Sequence, residues 1–233
     1  MKNILITGAN RGIGLALSQQ LLAQGNRVIA TCRQPQKADA LHALNDEFPD
    51  QLTLLPLDVT NTQSIQAACN AVQRIVTGLD LLINNAGMLD SSETLTTFDP
   101  VVMQQTFDIN ATGAMRIALQ FLPLLRQGNQ PKLINVTSQL GSLQKMKPGW
   151  GRYSYNSSKA ALNMITRMLS FDLAADGITV ICIHPGWVQT DMGGPSASLT
   201  PDESAAGILR VAKALTLAET GQFFTYSGEI HPW

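Results

Sequence analysis

The feature that most constrains this chain is its opening. The apolar run Ile4-Leu5-Ile6 leads straight into Thr7-Gly8-Ala9-Asn10-Arg11-Gly12-Ile13-Gly14. A strand enters a glycine-rich turn, and Ile13, Leu17 and Leu21 then repeat at helical spacing until Gly25 stops the helix. Backbone N–H groups at such a helix start point outward, and the helix dipole favours negative charge there, so the turn can hold a pyrophosphate. Gly8 permits the tight turn, Gly12 lets phosphates approach the backbone, and Gly14 lets helix and sheet pack closely. The spacing is Gly-x3-Gly-x-Gly rather than Gly-x-Gly-x2-Gly. Glycine-rich turns also occur without a ligand. The strand–turn–helix context is what favours dinucleotide binding here.

The rest of the chain repeats that alternation. Strands are expected at Asn3–Thr7, Arg27–Thr31, Leu52–Pro56, Leu79–Asn84, Lys132–Thr137, Thr179–His184 and Gln222–Thr225. Most are continuous apolar runs, as parallel strands covered on both faces require. Helical patterns lie between them: Asn61–Val76, a long segment Asp99–Arg126 interrupted or ended near Pro123, and Tyr153–Ala175 ended by Gly177. The expected fold is α/β, a Rossmann-type doubly wound parallel sheet of seven strands with helices on both faces, in one domain spanning 1–233. With 14% charged residues and a net charge of -1, the composition argues against a nucleic-acid binder and against a disordered chain. Cys32, Cys69 and Cys182 show no metal-like spacing with His42, His184 or His231 and read as buried small hydrophobes in a reducing compartment. No metal is expected. No run reaches membrane-spanning length and no signal peptide is evident, so a cytoplasmic protein without membrane attachment is the expectation.

Ligands of such sheets sit beyond the carboxyl ends of the strands. Strand two ends Thr31-Cys32-Arg33, about 20 residues past the glycines, where an NAD-binding chain carries an acid for the ribose hydroxyls. No acid is there. Arg33 offers a cation for a 2′-phosphate, and Arg11 a second, which favours NADP(H); either is otherwise a solvated surface arginine. Asp39, after Pro35, is placed on a helix. Asp58, followed by Val59, can accept a hydrogen bond from an adenine amino group or cap the next helix. The small residues of Asn84-Asn85-Ala86-Gly87 leave room for a ribose or form a side-chain-stabilised turn. Ser138 ends strand five, either facing the cleft or forming a turn. Tyr155 and Lys159, four residues apart, share one helix face. A nearby ammonium stabilises phenolate and lowers a tyrosine pKa, which suits proton exchange with a carbonyl or alcohol. Pro185 and Gly186 bend the chain after strand six, and the backbone beyond them can reach a nicotinamide carboxamide. His184 reads as a strand-end histidine rather than a base.

Together these residues resemble the short-chain dehydrogenase/reductase family. Thr7–Gly14 is similar to its cofactor turn, Asn84–Gly87 to its Asn-Asn-Ala-Gly element, Tyr155 with Lys159 to its active-site motif, Ser138 to its serine, and Asn110 to its structural asparagine; Pro185-Gly186 and Thr190 also match. The stretch Trp187–Gly194 and the Phe223-Phe224 to Pro232-Trp233 ending look like the branch of C-factor and sniffer-type carbonyl reductases. The resemblance implies a catalytic set of Asn110, Ser138, Tyr155 and Lys159. It implies cofactor contacts from Gly8, Asn10, Arg11, Gly12, Ile13, Gly14, Arg33, Asp58, Val59, Asn85, Ala86, Gly87, Tyr155, Lys159, Pro185, Gly186, Val188 and Thr190. By the same resemblance Tyr155 protonates a carbonyl oxygen, Ser138 hydrogen-bonds it, Lys159 lowers the Tyr155 pKa and holds the nicotinamide ribose, and Asn110 positions a water leading to Lys159.

One departure is the gap of 17 residues from Ser138 to Tyr155, a few more than the family commonly has. The extra segment, Leu143–Trp150, is expected as a loop at the pocket rim, with Met146 and Trp150 either contacting substrate or packing the loop. The stretch from Met192 to Pro201 is short, which implies a small lid and an open pocket. The leading expectation is an NADPH-dependent carbonyl reductase acting on a small-molecule aldehyde or ketone. A non-catalytic dinucleotide sensor or signalling protein is the alternative, and a hydratase or epimerase a weaker third. The helices Asp99–Arg126 and Tyr153–Ala175 form oligomer interfaces in much of the family, which implies a homodimer or homotetramer.

Overall fold

The computed structural model describes residues 1–233. Seven parallel strands form one sheet: β1 (Asn3–Thr7), β2 (Arg27–Cys32), β3 (Leu52–Pro56), β4 (Leu81–Asn84), β5 (Lys132–Val136), β6 (Thr179–His184) and β7 (Phe223–Thr225). Their spatial order is β3-β2-β1-β4-β5-β6-β7. The order reverses between β1 and β4, so the crevice above that pair is where a ligand is accommodated in an open α/β sheet.

Strand residues alternate between two cores. Ile4, Ile6, Val28, Ala30, Leu81, Ile83, Ile181 and Ile183 point to one face. There they meet α1 (Gly12–Ala23), α2 (Asp39–Glu47) and α7 (Pro201–Ala214) through Leu17, Leu21, Leu41 and Ile208. Leu5, Ile29, Leu82, Leu133 and Val180 point to the other face. They meet α3 (Thr62–Gln73), α5 (Ala114–Leu125) and α6 (Tyr153–Asp172) through Ile65, Val72, Ile117, Phe121 and Leu169.

All seven expected strands are present, and Asp39 opens α2 as expected. Three local expectations are corrected. The Asp99–Arg126 segment ends at Leu125, two residues past Pro123, as expected, but it is not one helix. It divides into α4 (Pro100–Phe107) and α5, joined by a π-helical turn over Asp108–Gly113. Pro123 is tolerated in the last turns of α5 because the carbonyl it strips of a partner belongs to the exposed Leu119, where water can supply one. Asp58 does not cap α3. That role falls to Asn61, whose Oδ1 accepts the Ser64 N–H at 3.0 Å, while Asp58 Oδ1 accepts from the Thr60 amide and hydroxyl at 2.9 and 2.7 Å. Finally, α7 is a helix that the strand-and-helix pattern above passes over, although Thr200-Pro201-Asp202-Glu203 forms a capping box at its start. No helix is long and apolar enough to cross a membrane.

Candidate active site

The glycine turn is tied across the sheet's reversal point. Thr7 is buried at the end of β1, and its Oγ1 accepts the amides of Asn85 and Ala86, each at 3.0 Å. In return Asn85 Nδ2 donates to the carbonyls of Thr7 and Gly8, each at 3.0 Å. Gly8 has φ +66°, and a Cβ on it would lie 2.9 Å from Ala86 Cα, so both conformation and space demand glycine. The start of α1 has no side-chain cap and no acid in its first turn. Its outward N–H groups are therefore available to an anion.

A cavity of about 680 Å³ runs from this turn, past Arg33 and the Leu57–Thr60 segment, to Tyr155 and Lys159. Of the sequence-predicted cofactor residues, Gly8, Asn10, Arg11, Gly12, Ile13, Arg33, Asp58, Val59, Asn85, Ala86, Gly87, Tyr155, Lys159, Pro185 and Thr190 line it. Gly14, Gly186 and Val188 do not. Gly14 packs on Gly8 O and the Asn85 amide, closing the turn. Gly186, at φ +88°, makes the bend after β6 and packs on Leu199. Val188 is buried and bridges to Leu199.

Arg33 is exposed and makes no ion pair, whereas Arg11 is paired with Asp191 at 2.5 Å. That pair joins the glycine turn to the segment after β6, and both side chains are mostly in solvent.

At the other end of the cavity, Ser138 directly follows β5 and Thr137. Its hydroxyl accepts the Leu140 amide at 3.1 Å and is near enough to the half-buried Tyr155 phenol to favour the ionised form. Ser138 is thus both turn former and partner of Tyr155. Lys159 is buried, donates to the Val136 carbonyl at 2.9 Å, and lies 5.7 Å from the Tyr155 ring centroid. The expected lowering of the Tyr155 pKa by Lys159 is corrected. Burial pushes the phenol up to about 12, and the Ser138 hydrogen bond offsets this only in part. Burial likewise pulls the Lys159 ammonium down to about 8. Desolvation penalises both charged forms; it outweighs the help Tyr155 has from Ser138 and the help Lys159 has from Cys182.

Asn110 sits in the π-helical turn. Its amide donates to Met88 O at 2.9 Å and Ser158 Oγ at 3.0 Å, and its Oδ1 accepts the Met88 amide at 2.8 Å. Only one Oδ1 lone pair remains uncommitted for a water. Beside it, Gly87 leaves open the space between Asn110 Oδ1 and Lys159 Nζ. His184 does not line the cavity. It packs edge-on against His231, its Nδ1 has no partner, and burial lowers its pKa to about 4. Met146 and Trp150 also lie outside the cavity: Met146 Sδ accepts from Asn156 at 3.8 Å, and the Lys147 ammonium sits 5.4 Å over the Trp150 ring. They pack the loop. The short segment after β6 folds on itself, with Gln189 N–H to Leu199 O at 2.8 Å and Trp187 Nε1 to Gly193 O at 2.8 Å.

A phenol beside a buried ammonium, in the cavity that also contains the glycine turn, can exchange a proton with an oxygen placed against it. Comparison with known proteins agrees with that architecture. The family model for short chain dehydrogenases matches residues 2–199. The chain belongs to the short-chain dehydrogenase family. Among solved structures it is similar to an NADPH-bound carbonyl reductase from chicken fatty liver, with 38% identity, coverage of 100% and 99% of the two chains, and TM-score 0.94. It is also similar to the carbonyl reductase Sniffer of D. melanogaster, at 33% identity, full coverage of both chains and TM-score 0.95. The C-signal protein of Myxococcus xanthus is 46% identical over 155 residues, 66% of this chain and 93% of the relative.

For this short-chain dehydrogenase, sequence reasoning passed over several site residues. Thr7 stands in the sequence as the end of a strand and the first residue of the cofactor turn, with no role of its own for the side chain. A threonine immediately before the turn glycine was the available signal for its double acceptor role. Met88, Leu89 and Ser91 line the cavity from the segment after Gly87, and no local pattern marks them. Gln189 and Asp191 line it as well; Asp191 meets Arg11 across a sequence separation of 180, beyond the reach of spacing arguments.

Proposed function

We propose that this chain is an NADP(H)-dependent reductase of aldehydes and ketones in which Tyr155 is the proton donor. The observation that carries the reading is the meeting of Tyr155 and Lys159 in one cavity with the glycine turn and Arg33, with the buried Ser138 next to the cavity-lining Thr137 and acting on Tyr155. The donor set fits the cofactor. The uncapped α1 start and Gly12 suit the pyrophosphate, the unpaired Arg33 suits a 2′-phosphate, and Asp58, with Oδ2 uncommitted, suits an adenine amino group. The related reductase from chicken carries NADPH. When bound, the cofactor supplies the hydride.

The chain's own groups handle the proton. Ser138 holds the substrate oxygen by a hydrogen bond. Tyr155, protonated far past neutral pH, gives that oxygen its proton. Lys159, charged below about 8, stabilises the phenolate left behind. Asn110 fixes Met88 at the edge of the cavity and keeps one lone pair for a water beside Lys159. The substrate end, formed by Met88, Leu89, Ser91 and Met192, carries no charge and suits neutral carbonyl compounds.

A carbonyl panel followed by NADPH absorbance, repeated with NADH, tests the reading: turnover with preference for NADPH is expected, and preference for NADH overturns the roles given to Arg11 and Arg33. The likeness to C-signal favours a second reading, a dinucleotide-binding signalling protein, which requires NADPH binding without turnover. A second copy of the chain is the partner best suited to the exposed Met164, Met168 and Phe171 of α6, and sedimentation analysis of wild type against a Phe171→Glu variant tests it.

A further inference from the structure

The helix that carries Tyr155 and Lys159 does not cap itself. Arg152 stands at the N-cap of α6 and makes no side-chain capping bond. A helix start leaves its first N–H groups without intrahelical partners. Here the missing acceptor comes from another part of the chain. Glu93, in the segment between β4 and α4, is 3% exposed. Its two carboxylate oxygens accept the Ser154 amide at 3.0 and 3.2 Å, and one accepts the Ser154 hydroxyl at 2.5 Å. A buried carboxylate is costly unless hydrogen bonds replace its water, and these donors do so. Ser154 directly precedes Tyr155.

The same segment is attached to this helix start at two further points. Arg152 Nε donates to Ser91 O at 3.0 Å, and the rings of Phe98 and Tyr153 meet edge-on with centroids 6.2 Å apart. At its other end the segment begins at Met88, held by Asn110. Met88, Leu89 and Ser91 line the cavity. Glu93 therefore joins the substrate-side wall to the first turn of the helix bearing Tyr155.

We propose that Glu93 is a positioning residue, a cap supplied from the substrate-side segment that sets Tyr155 against that wall. This rests on the reading of Tyr155 as proton donor. Displacement of a reacting group by about 1 Å can cost on the order of 100-fold in rate.

The test uses NADPH with a neutral aromatic ketone and compares E93A, E93Q, S154A and Y155F. E93A is expected to lower kcat by about 10- to 100-fold and raise the ketone KM, with the NADPH dissociation constant, read by fluorescence titration, within about twofold of wild type. E93Q, which keeps an acceptor for Ser154, is expected to recover most of kcat. Hydrogen exchange at the Ser154 and Tyr155 amides should quicken in E93A and not in E93Q. Wild-type kcat and KM in folded E93A overturn the proposal. So does a loss of NADPH affinity in step with kcat, which marks a general structural role. If E93A does not fold, wild-type kinetics in both E93Q and S154A overturn it. Y155F separates the two readings: retained activity there refutes the proton-donor assignment itself, whereas its loss with unaffected Glu93 variants refutes only the positioning role.

Discussion

Replacing Thr7 by valine removes one oxygen and almost no volume, so it isolates the stitch across the β1–β4 reversal point. Thr7 Oγ1 accepts two backbone N–H groups, from Asn85 and Ala86, each at 3.0 Å. Valine leaves both without an acceptor. A buried polar group stripped of its partner costs about 1–3 kcal/mol. Asn85 and Ala86 are half-buried, so partial hydration brings each loss to the lower end, and Thr7→Val is expected to cost about 2 kcal/mol in total. For a chain of this size that is a fall of about 4–8 °C in melting temperature. NADPH affinity should fall with it, because the same stitch holds the carbonyl end of the glycine turn beside Asn85. Thr7→Ser restores the oxygen and should recover most of both. Equilibrium denaturation, thermal melting and NADPH fluorescence titration on the three proteins decide the matter. A valine variant that melts within about 1 °C of wild type and binds NADPH equally well would show that the Thr7 hydroxyl does not hold the β1–β4 crossing together.

Replacing Arg33 by Asp should shift the NADPH-to-NADH preference toward NADH by about 10-fold or more, the worth of one charge-assisted phosphate contact, as read from kcat/KM with each cofactor. The pKa of His184 is about 4 in the folded chain against 6.5 when solvated, so the unfolded chain takes up its proton first as pH falls. Its contribution to stability is therefore complete above about pH 6.5 and is lost progressively down to about 4, up to about 3 kcal/mol. Urea denaturation of wild type and His184→Leu across that range should show the wild type losing more. Carbonyl reduction should lose rate above pH 8, where Lys159 gives up its charge, while Tyr155 remains protonated; a kcat profile that stays level to pH 10 contradicts the assignment.

The sheet was legible because most strands are covered on both faces and so read as apolar runs, as in Ile4-Leu5-Ile6 or Val180-Ile181-Cys182-Ile183, while the edge strand β3 is only half-buried. The strand-end rule then located most of the cavity without any side-chain contact being known. What escaped depends on three-dimensional packing. Pro123 looks like a breaker, yet it lies inside the last turn of α5, four residues after the exposed Leu119. The π-helical turn at Asp108–Gly113 has no sequence period of its own. Gly14, Gly186 and Val188 sit among the expected cofactor residues, yet their neighbours are protein atoms. Tyr155 and Lys159 were paired correctly by spacing, but spacing carries no measure of burial, and burial reverses the direction of the tyrosine shift. Glu93 lies in a loop of ordinary composition and acquires its place only when that loop meets the start of α6.

In the proposed reaction Tyr155 passes the proton to a carbonyl oxygen and NADPH supplies the hydride. The most direct measurement of that transfer is single-turnover NADPH oxidation with saturating ketone in wild type and Tyr155→Phe. Rapid oxidation is expected in wild type and a rate lower by about 100- to 10,000-fold in the variant, with NADPH still bound. Equal rates in the two proteins, or bound NADPH that no carbonyl compound oxidises in wild type, would contradict it.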